Sequence, residues 1–391
     1  MIGRGLLAVA LALAAVLIGV APANAEQTGA QAAKCDPAKG SLRVAESWAQ
    51  QRFDLRRIWP LTNGAGVTVG IVDSGVDLTH PQLQVAKSLD FTGTGYRDCL
   101  GHGTAVAGII AGRYITGVPY YGVAPAARLI SLKQTNTENG GDVRILARAI
   151  EKAADLKVGV LNVSVQAQDR PELMAAVRYA LDRDVVIVAA AGNVRKEDGT
   201  PAPAFPAAYD GVLAVGSATS DGTRADSSNT ATPVAVLGPG KDITSTWTGR
   251  TYMSGLEGTS FAAPYVAGVA ALVRSRFPRL NQEQVRWRIT TTADGAAGAG
   301  TGAGMVNPLL AVTTVLPVEG TAPLIAPPSA APLPADAVSK VPPVDQRAIG
   351  VASAVAAGAL CLVALIVAGR FVVLMGRRRG ERTGDPNSSP R

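Results

Sequence analysis

The chain has 391 residues and a formal net charge of +7, from 37 basic and 30 acidic side chains. This length allows one large domain or two ordinary ones, with a sizeable core. Part of the positive excess lies near the C-terminus, where Arg377, Arg378 and Arg379 are consecutive. The charge is therefore typical of a sorting signal, and it gives no reason to expect a nucleic-acid partner.

The N-terminus has the pattern of a secretory signal peptide over residues 1–25. Arg4 precedes an uncharged run from Gly5 to Pro22, and the tripeptide Ala-Asn-Ala at 23–25 fits a small-residue cleavage site. This combination predicts export and removal of the leader. The alternative is an N-terminal membrane anchor, which would keep the same apolar run.

Residues 26–60 form an N-terminal extension that precedes the first apolar strand. The extension begins with polar residues and continues with the stretch LRVAESWAQQRFDLRRIW. We predict one helix in that stretch, ending at Pro60, because proline cannot continue a helix. With so few residues, the extension is too short for an independently folded domain.

Between residues 61 and 316, near-continuous apolar runs alternate with segments of helical spacing. Short apolar runs are typical of parallel strands that are covered on both faces. The alternation predicts a three-layer α/β domain with a mostly parallel sheet. The predicted strands are Val67–Val72, Ala127–Lys133, Val158–Val165, Val185–Ala191 and Val212–Ala218. The predicted helices are Asp142–Leu156, Pro171–Arg183, Ser260–Phe277 and a segment capped by Asn281.

The C-terminal part predicts a stalk and a membrane anchor. Residues 317–346 are rich in Pro, Ala and Val, which favours extended, semi-rigid segments. Between Arg347 and Arg370 lie 22 residues without charge or proline, enough to cross a hydrocarbon core of roughly 30 Å. We predict a transmembrane helix over residues 348–375 and a basic cytoplasmic tail over 376–391, since arginine clusters mark the cytoplasmic side. The alternative is a buried helix of a soluble protein.

Three glycine-containing segments carry candidate catalytic side chains. They are IVDSGVDLTHP around Asp73, GHGTAVAGIIAG around His102, and GTSFAAPYVAGVAALV with Ser260. A serine hydroxyl is a poor nucleophile until a base removes its proton, and the chain has only two histidines. The other histidine, His80, precedes a proline and is better explained as a packed turn residue. For the acid that orients the base, Asp77 competes with Asp73.

The three segments, with Asp, His and Ser in that chain order, resemble the subtilase family of serine proteases. The resemblance implies a subtilisin-like fold and a catalytic triad of Asp73, His102 and Ser260. It favours Asp73 over Asp77 through the Asp-Ser-Gly sequence. The implied activity is endopeptidase chemistry through an acyl-enzyme intermediate.

The resemblance also implies an oxyanion hole and a substrate-binding strand. Asn193, at the end of the segment AAAGN, matches the subtilase amide that stabilises the oxyanion, and the Ser260 N–H is the expected second donor. Ser164, Val165 and Gln166 match the segment on which peptides bind as an added strand. Subtilases usually have glycine where this chain has Gln166, so we expect a restricted substrate range.

The short extension, proline-rich stalk and C-terminal span resemble the mycosins, the membrane-anchored subtilases of actinobacterial type VII secretion systems. That resemblance implies location at the cell membrane, with the catalytic domain on the extracytoplasmic side. It implies secreted proteins or peptides as substrates and a secretion membrane complex as partner. An alternative function is a structural scaffold that stabilises such a complex, with proteolysis dispensable.

The cysteines predict one disulfide bond. Cys361 lies inside the predicted span, which leaves Cys35 and Cys99 in the exported part. An even pair in an oxidising compartment is usually bonded, so we expect Cys35 to pair with Cys99 and two free thiols is the alternative. The bond would keep the extension on the mature fold. No Cys or His cluster indicates zinc, and we expect no cofactor; calcium is left open.

Overall fold

The computed structural model describes residues 35–137, 141–194, 201–295, 298–317 and 346–380. The predicted signal peptide, the first residues of the extension, nearly all of the stalk and the end of the basic tail lie outside these ranges. The chain divides into two units, Met1–Ala322 and Pro323–Arg391, which are described separately.

A seven-stranded sheet in which every strand pairs in parallel forms the centre of the first unit. The strand order is β2-β3-β1-β4-β5-β6-β7, and a separate antiparallel hairpin consists of β8 and β9. The sheet strands are β1 Thr68–Asp73, β2 Val85–Asp90, β3 Arg128–Lys133, β4 Val160–Val163, β5 Val186–Ala190, β6 Leu213–Ala218 and β7 Val236–Pro239. The hairpin strands are β8 Ile243–Trp247 and β9 Thr251–Leu256. The predicted three-layer α/β fold with a mostly parallel sheet is confirmed.

Helices cover both faces of the sheet and create two hydrophobic cores. One core lies under α4 and α5, and the other contains α3, α6 and α7. The helices of this unit are α1 Trp48–Phe53, α2 Leu55–Ile58, α3 His102–Ala111, α4 Val143–Asp155, α5 Pro171–Leu181, α6 Thr259–Arg276, α7 Gln282–Thr291 and α8 Pro308–Thr313. Because both faces are covered, the central strands β4, β5 and β6 are buried at every position.

The extension contains two short helices where the sequence predicts one. Ser47 caps α1 with a capping box, and Asp54 then takes a left-handed conformation at φ 44° that separates α1 from α2. On either side of the break, Phe53, Leu55 and Ile58 are all buried in one core. The kink therefore lets both helices present apolar side chains to the same core.

The extension is joined to the rest of the first unit at several distant points. A disulfide links Cys35 to Cys99, across 64 residues of sequence. The Trp247 Nε1 donates to the Ala38 carbonyl at 2.7 Å, and the Trp48 Nε1 donates to the Lys241 carbonyl at 2.9 Å. These contacts attach the extension to the β8–β9 hairpin and to the segment before it, so it is part of the fold.

The second unit contains one long helix, α9, over Gln346–Gly380. Within the part of the chain that the structure describes, it is the one helix long and apolar enough to cross a membrane. Its apolar window, Ser353–Arg370, is exposed throughout its length. This is the property expected of a lipid-facing surface.

Candidate active site

Asp73 is placed at the carboxyl edge of the sheet as the last residue of β1. Its side chain is buried, with the whole residue 1% exposed, and its Oδ1 accepts a hydrogen bond from the Ser74 N–H at 2.7 Å. β1 lies between β3 and β4 in the sheet. The carboxylate is therefore held by rigid strands at the edge where ligands bind in α/β proteins.

His102 is the first residue of α3, and glycines allow that helix to begin against the strand edge. Gly101 caps the helix at φ 80°, a left-handed conformation that favours glycine. At Gly103, a Cβ would lie 2.0 Å from the Gly75 carbonyl oxygen, so a side chain there would push the helix away. The close approach puts His102 Nδ1 2.8 Å from Asp73 Oδ1.

Ser260 completes a connected line of three side chains. It is the second residue of α6, which follows Gly258 at φ 138°. The Ser260 Oγ lies 2.9 Å from His102 Nε2. The three residues that the sequence predicts as a triad are thus brought together within hydrogen-bond distance, with the histidine in the middle.

A second set of hydrogen bonds supports Ser260 from the end of β4 and the residue that follows it. The Ser164 Oγ donates to the Ser260 carbonyl at 2.8 Å, and the Asn162 Nδ2 donates to the Ser164 Oγ at 2.8 Å. Both residues belong to the predicted substrate-binding segment, and the sequence predicted no contact with Ser260 for either. A polar pair two residues apart on an otherwise apolar buried strand was the available signal, since buried polar groups need partners.

Asn193 faces the same cleft with its amide held in one orientation. Its Oδ1 accepts hydrogen bonds from the Thr259 N–H at 2.8 Å and the Thr259 Oγ1 at 3.1 Å. The Thr259 hydroxyl in turn accepts from the Gly192 N–H at 3.1 Å. Because the carbonyl end of the amide contacts α6, the –NH₂ end is the part of Asn193 that can donate in the cleft, which Ser260 also lines.

The cleft around these residues has a volume of about 580 Å³ and includes Ser164, Val165 and Gln166 along one wall. Several other residues that line the cleft were not predicted from the sequence. Phe261 packs on the imidazole of His102 with ring centroids 4.8 Å apart. Leu100, Trp247 and Glu257 also line the cleft. Trp247 comes from the β8–β9 hairpin, and no motif in the sequence connects that hairpin with the cleft.

Gln166 lies between the cleft and an adjoining polar cavity of about 660 Å³. Its Oε1 is 2.8 Å from the point where a Cβ on Gly192 would be. The side chain therefore covers Gly192, which directly precedes Asn193. The cavity beyond it includes the segment Pro201–Ala204, which lies before the paired aromatic rings of Phe205 and Tyr209.

His80 and Asp77 are a second histidine and aspartate close together in the chain, and their contacts are those of residues that hold a turn in place. His80 is 1% exposed; its Nδ1 accepts from the Gln82 N–H at 3.2 Å, and its Nε2 lies 3.1 Å from the Thr251 carbonyl. Burial lowers the pKa of His80, and the Thr251 carbonyl only partly opposes this. Burial raises the pKa of Asp77, but hydrogen bonds from Thr79 and Gly249 outweigh it and give a net lowering.

Metal ligands are not grouped in the described part of the chain. Within those residues, no three His, Cys, Asp or Glu side chains stand close enough to hold a metal ion. In the cleft, both imidazole nitrogens of His102 are engaged by Asp73 and Ser260. The three side chains thus form a continuous line along which a proton can move.

Comparison with known proteins agrees with this geometry. Residues 64–309 match the model of the subtilase family, and the chain belongs to that family of serine proteases. Mycosin-4 of Mycobacterium tuberculosis is 37% identical over 81% of this chain and 79% of its own length. Subtilisin DY of Bacillus licheniformis is 39% identical over 59% of this chain and 84% of its own.

A solved structure extends the similarity to the fold. It is described as the serine protease MycP1, an essential component of the type VII (ESX-1) secretion system. It superposes with a TM-score of 0.63 at 31% identity, covering 71% of this chain and 91% of that one. The subtilisin-like fold and the resemblance to mycosins are therefore confirmed.

Proposed function

We propose that this protein is a membrane-anchored serine endopeptidase that uses Asp73, His102 and Ser260 as its catalytic triad. The observation that carries the proposal is the position of His102, whose two ring nitrogens lie 2.8 Å from Asp73 Oδ1 and 2.9 Å from Ser260 Oγ. In that position one imidazole can accept the serine proton while the aspartate stabilises the resulting positive charge.

The proposed reaction has two steps, acylation of Ser260 and hydrolysis of the acyl-enzyme. The Ser260 Oγ attacks the scissile carbonyl carbon as its proton passes to His102 Nε2, and the developing oxyanion accepts hydrogen bonds from Asn193 Nδ2 and the Ser260 N–H. When the C–N bond breaks, the leaving amine takes that proton from His102. A water molecule next gives a proton to His102 Nε2 and attacks the acyl carbon. The bond from that carbon to Ser260 Oγ then breaks, Oγ takes the proton back from His102, and the carboxylic acid product leaves.

A serine-directed fluorophosphonate tests the assignment directly. The wild-type ectodomain should be labelled at Ser260, and the Ser260→Ala chain should neither be labelled nor hydrolyse peptides. Peptide mapping after labelling identifies the modified serine. Labelling elsewhere, or wild-type turnover by Ser260→Ala, would exclude this triad.

Gln166 supports a narrow substrate range. Subtilases usually have glycine at this position, and here an exposed glutamine lies over Gly192 between the cleft and the adjoining cavity. A side chain there restricts the width of the channel that a substrate backbone and its side chain must enter. We propose that the enzyme cleaves a small set of secreted proteins or peptides.

Substitution of Gln166 by glycine tests that restriction. The wild type should leave casein-like unfolded substrates nearly intact, and Gln166→Gly should cleave a wider peptide library. Gln168→Gly provides a matched control, because Gln168 is exposed and lines the adjoining cavity but not the cleft. Ready casein digestion by the wild type, with the same products from Gln166→Gly, would exclude a role of Gln166 in selectivity.

Three observations support location at a secretion complex in the cell membrane. They are the exposed apolar helix α9, the arginine cluster that follows the predicted span, and the similarity to mycosins and MycP1. We propose a catalytic domain on the extracytoplasmic side and a cytoplasmic C-terminus.

External protease should digest the domain and spare the tail after Arg377, and a chain truncated after Gln346 should be soluble and active. Digestion of the tail from outside would reverse the orientation.

A second candidate function is a scaffold for the secretion complex. It is favoured by the description of MycP1 as an essential component of its system. A Ser260→Ala chain that restores secretion to cells lacking this protein would favour the scaffold. Failure to restore it, with the same amount of protein in the membrane, would favour proteolysis.

A further inference from the structure

Asp98 is a buried carboxylate with hydrogen bonds on both of its oxygens. It is 1% exposed. Its Oδ1 accepts from the Ser74 Oγ at 2.9 Å and from the N–H groups of Leu100 and Gly101 at 3.0 and 2.9 Å. Its Oδ2 accepts from the Thr104 N–H at 2.9 Å and the Thr104 Oγ1 at 2.6 Å. One side chain thus connects the turn after β1 with the first turn of α3.

The Ser74 hydroxyl connects this carboxylate with the catalytic one. It accepts from the Gly103 N–H at 3.0 Å and lies 2.9 Å from Asp98 Oδ1 and 3.2 Å from Asp73 Oδ1. A hydroxyl donates one proton at a time, so the two carboxylates compete for it. The shorter contact favours Asp98, which leaves Asp73 to accept from the Ser74 N–H and His102.

We propose that Asp98 is a positioning residue for His102. This proposal rests on the triad proposed above. Asp98 fixes the start of α3 against the turn after β1, and the imidazole at the first position of that helix is thereby held on Asp73. Its negative charge, one hydroxyl away from Asp73, also favours the protonated imidazole that forms during acyl transfer. Lys133 of β3 is the cation that faces Asp98 and Asp90.

The first test compares Asp98→Asn with Asp90→Asn. Both substitutions remove one negative charge near Lys133, but the Asp90 carboxylate holds only Thr92 and Gly95 in its own loop among the contacts described. Asp98→Asn should lower kcat/KM on a peptide substrate on the order of 10²-fold, through kcat with KM nearly constant, because small displacements of a catalytic group are costly. Asp90→Asn should retain the wild-type rate.

A double-mutant cycle tests the route through Ser74. If Asp98 acts through that hydroxyl, Ser74→Ala should also lower kcat, and the double variant should lose less than the product of the two single losses. If Asp98→Asn does not fold, Ser74→Ala alone must show the loss in kcat. A wild-type kcat in Ser74→Ala, or full multiplication of the two losses, would overturn the proposal.

A second readout does not depend on proteolysis. The chain has only two histidines, so ¹⁵N-histidine labelling with a His80→Gln reference assigns His102 without ambiguity. Removal of the Asp98 charge should move the titration midpoint of His102 to lower pH, since a nearby negative charge favours the imidazolium. Equal midpoints in Asp98→Asn and Asp90→Asn would overturn the proposal. An inactive wild type with the expected midpoint shift would instead exclude the protease function and retain the positioning role.

Discussion

The two histidines of this chain occupy opposite environments although each lies near an aspartate. His80 is buried, and its ring nitrogens contact the backbone at Gln82 and Thr251. The His102 side chain is 27% exposed, and its nitrogens contact the Asp73 and Ser260 side chains. A backbone partner cannot exchange protons in the proposed mechanism, whereas the Ser260 hydroxyl can, and the Asp73 carboxylate stabilises the charge that results on the imidazole. Reactivity therefore depends on what the nitrogens contact and on access from the cleft.

The largest expected effect separates the two histidines. His102→Ala should lower kcat on the order of 10⁶-fold, because the triad acts as a unit. His80→Gln should keep most of the activity and lower Tm, because it loses a packed, hydrogen-bonded ring. Kinetics on one peptide substrate and thermal unfolding of both variants make the comparison. A large loss of kcat in folded His80→Gln would contradict the assignment of the base.

Asp73 and Asp77 should also differ in their effect on kcat. Asp73→Asn should lower kcat about 10⁴-fold with little change in Tm, because the amide favours the wrong imidazole tautomer. Asp77→Asn should retain activity, since Asp77 accepts hydrogen bonds from Thr79 and Gly249. Similar kcat values for the two variants would contradict the assignment of Asp73, and not Asp77, as the triad aspartate.

Asn193 extends the comparison to an amide whose two ends have different partners. Asn193→Asp keeps an oxygen for the Thr259 N–H and removes the –NH₂ donor. We expect kcat to fall roughly 10²- to 10³-fold, as for loss of one oxyanion donor. Asn193→Ala, which also removes the contact to Thr259, should be at least as slow. Wild-type kcat in Asn193→Asp would exclude the oxyanion role.

The disulfide should matter for stability more than for chemistry. Replacing both Cys35 and Cys99 by serine opens a loop of 64 residues, and the chain-entropy model gives a loss of about 4 kcal/mol in the free energy of unfolding. Denaturant unfolding of the soluble domain measures that loss. The matched control, Cys361→Ser in the membrane-anchored chain, should change neither stability nor kcat. An unchanged midpoint for the double variant would show that the other contacts hold the extension.

The smallest expected effect is a pH dependence of stability due to His80. Burial lowers its folded-state pKa below the ordinary value of 6.5, so the unfolded chain binds the proton more tightly. The contribution of His80 is fully present above about pH 6.5 and is lost as the pH falls toward the folded pKa. His80→Gln should therefore flatten the change in Tm between neutral and mildly acidic pH. An equally steep change in that variant would assign the effect to other groups.

The sequence predicted the central parallel strands because burial on both faces leaves a continuous apolar run. It missed β2, an edge strand whose residues are partly exposed and include Lys87 and Asp90. It also missed α3 as a helix, because the segment is buried at nine consecutive positions and so has no polar face. A pattern of hydrophobicity identifies an element when buried and exposed positions differ regularly along it. A partly exposed edge strand and a fully enclosed helix both lack that regular difference.

The site was predictable where one residue type has few candidates, as with two histidines in the chain. Its supporting contacts were not predictable, because they join distant segments through ordinary residues. Ser164 contacts the carbonyl of Ser260 across 96 residues, and Trp247 reaches the cleft from a hairpin with no motif. Neither spacing nor composition encodes such pairings without the three-dimensional fold.

The attachment of the extension has a consequence for the order of synthesis. Ala38 is made early, but its partner Trp247 follows 209 residues later, and Lys241 follows Trp48 by 193 residues. The N-terminal segment must therefore wait until most of the domain has been made before its final contacts can form. Contacts of such long sequence separation slow folding. The extension therefore completes its attachment only after the β8–β9 hairpin has been made.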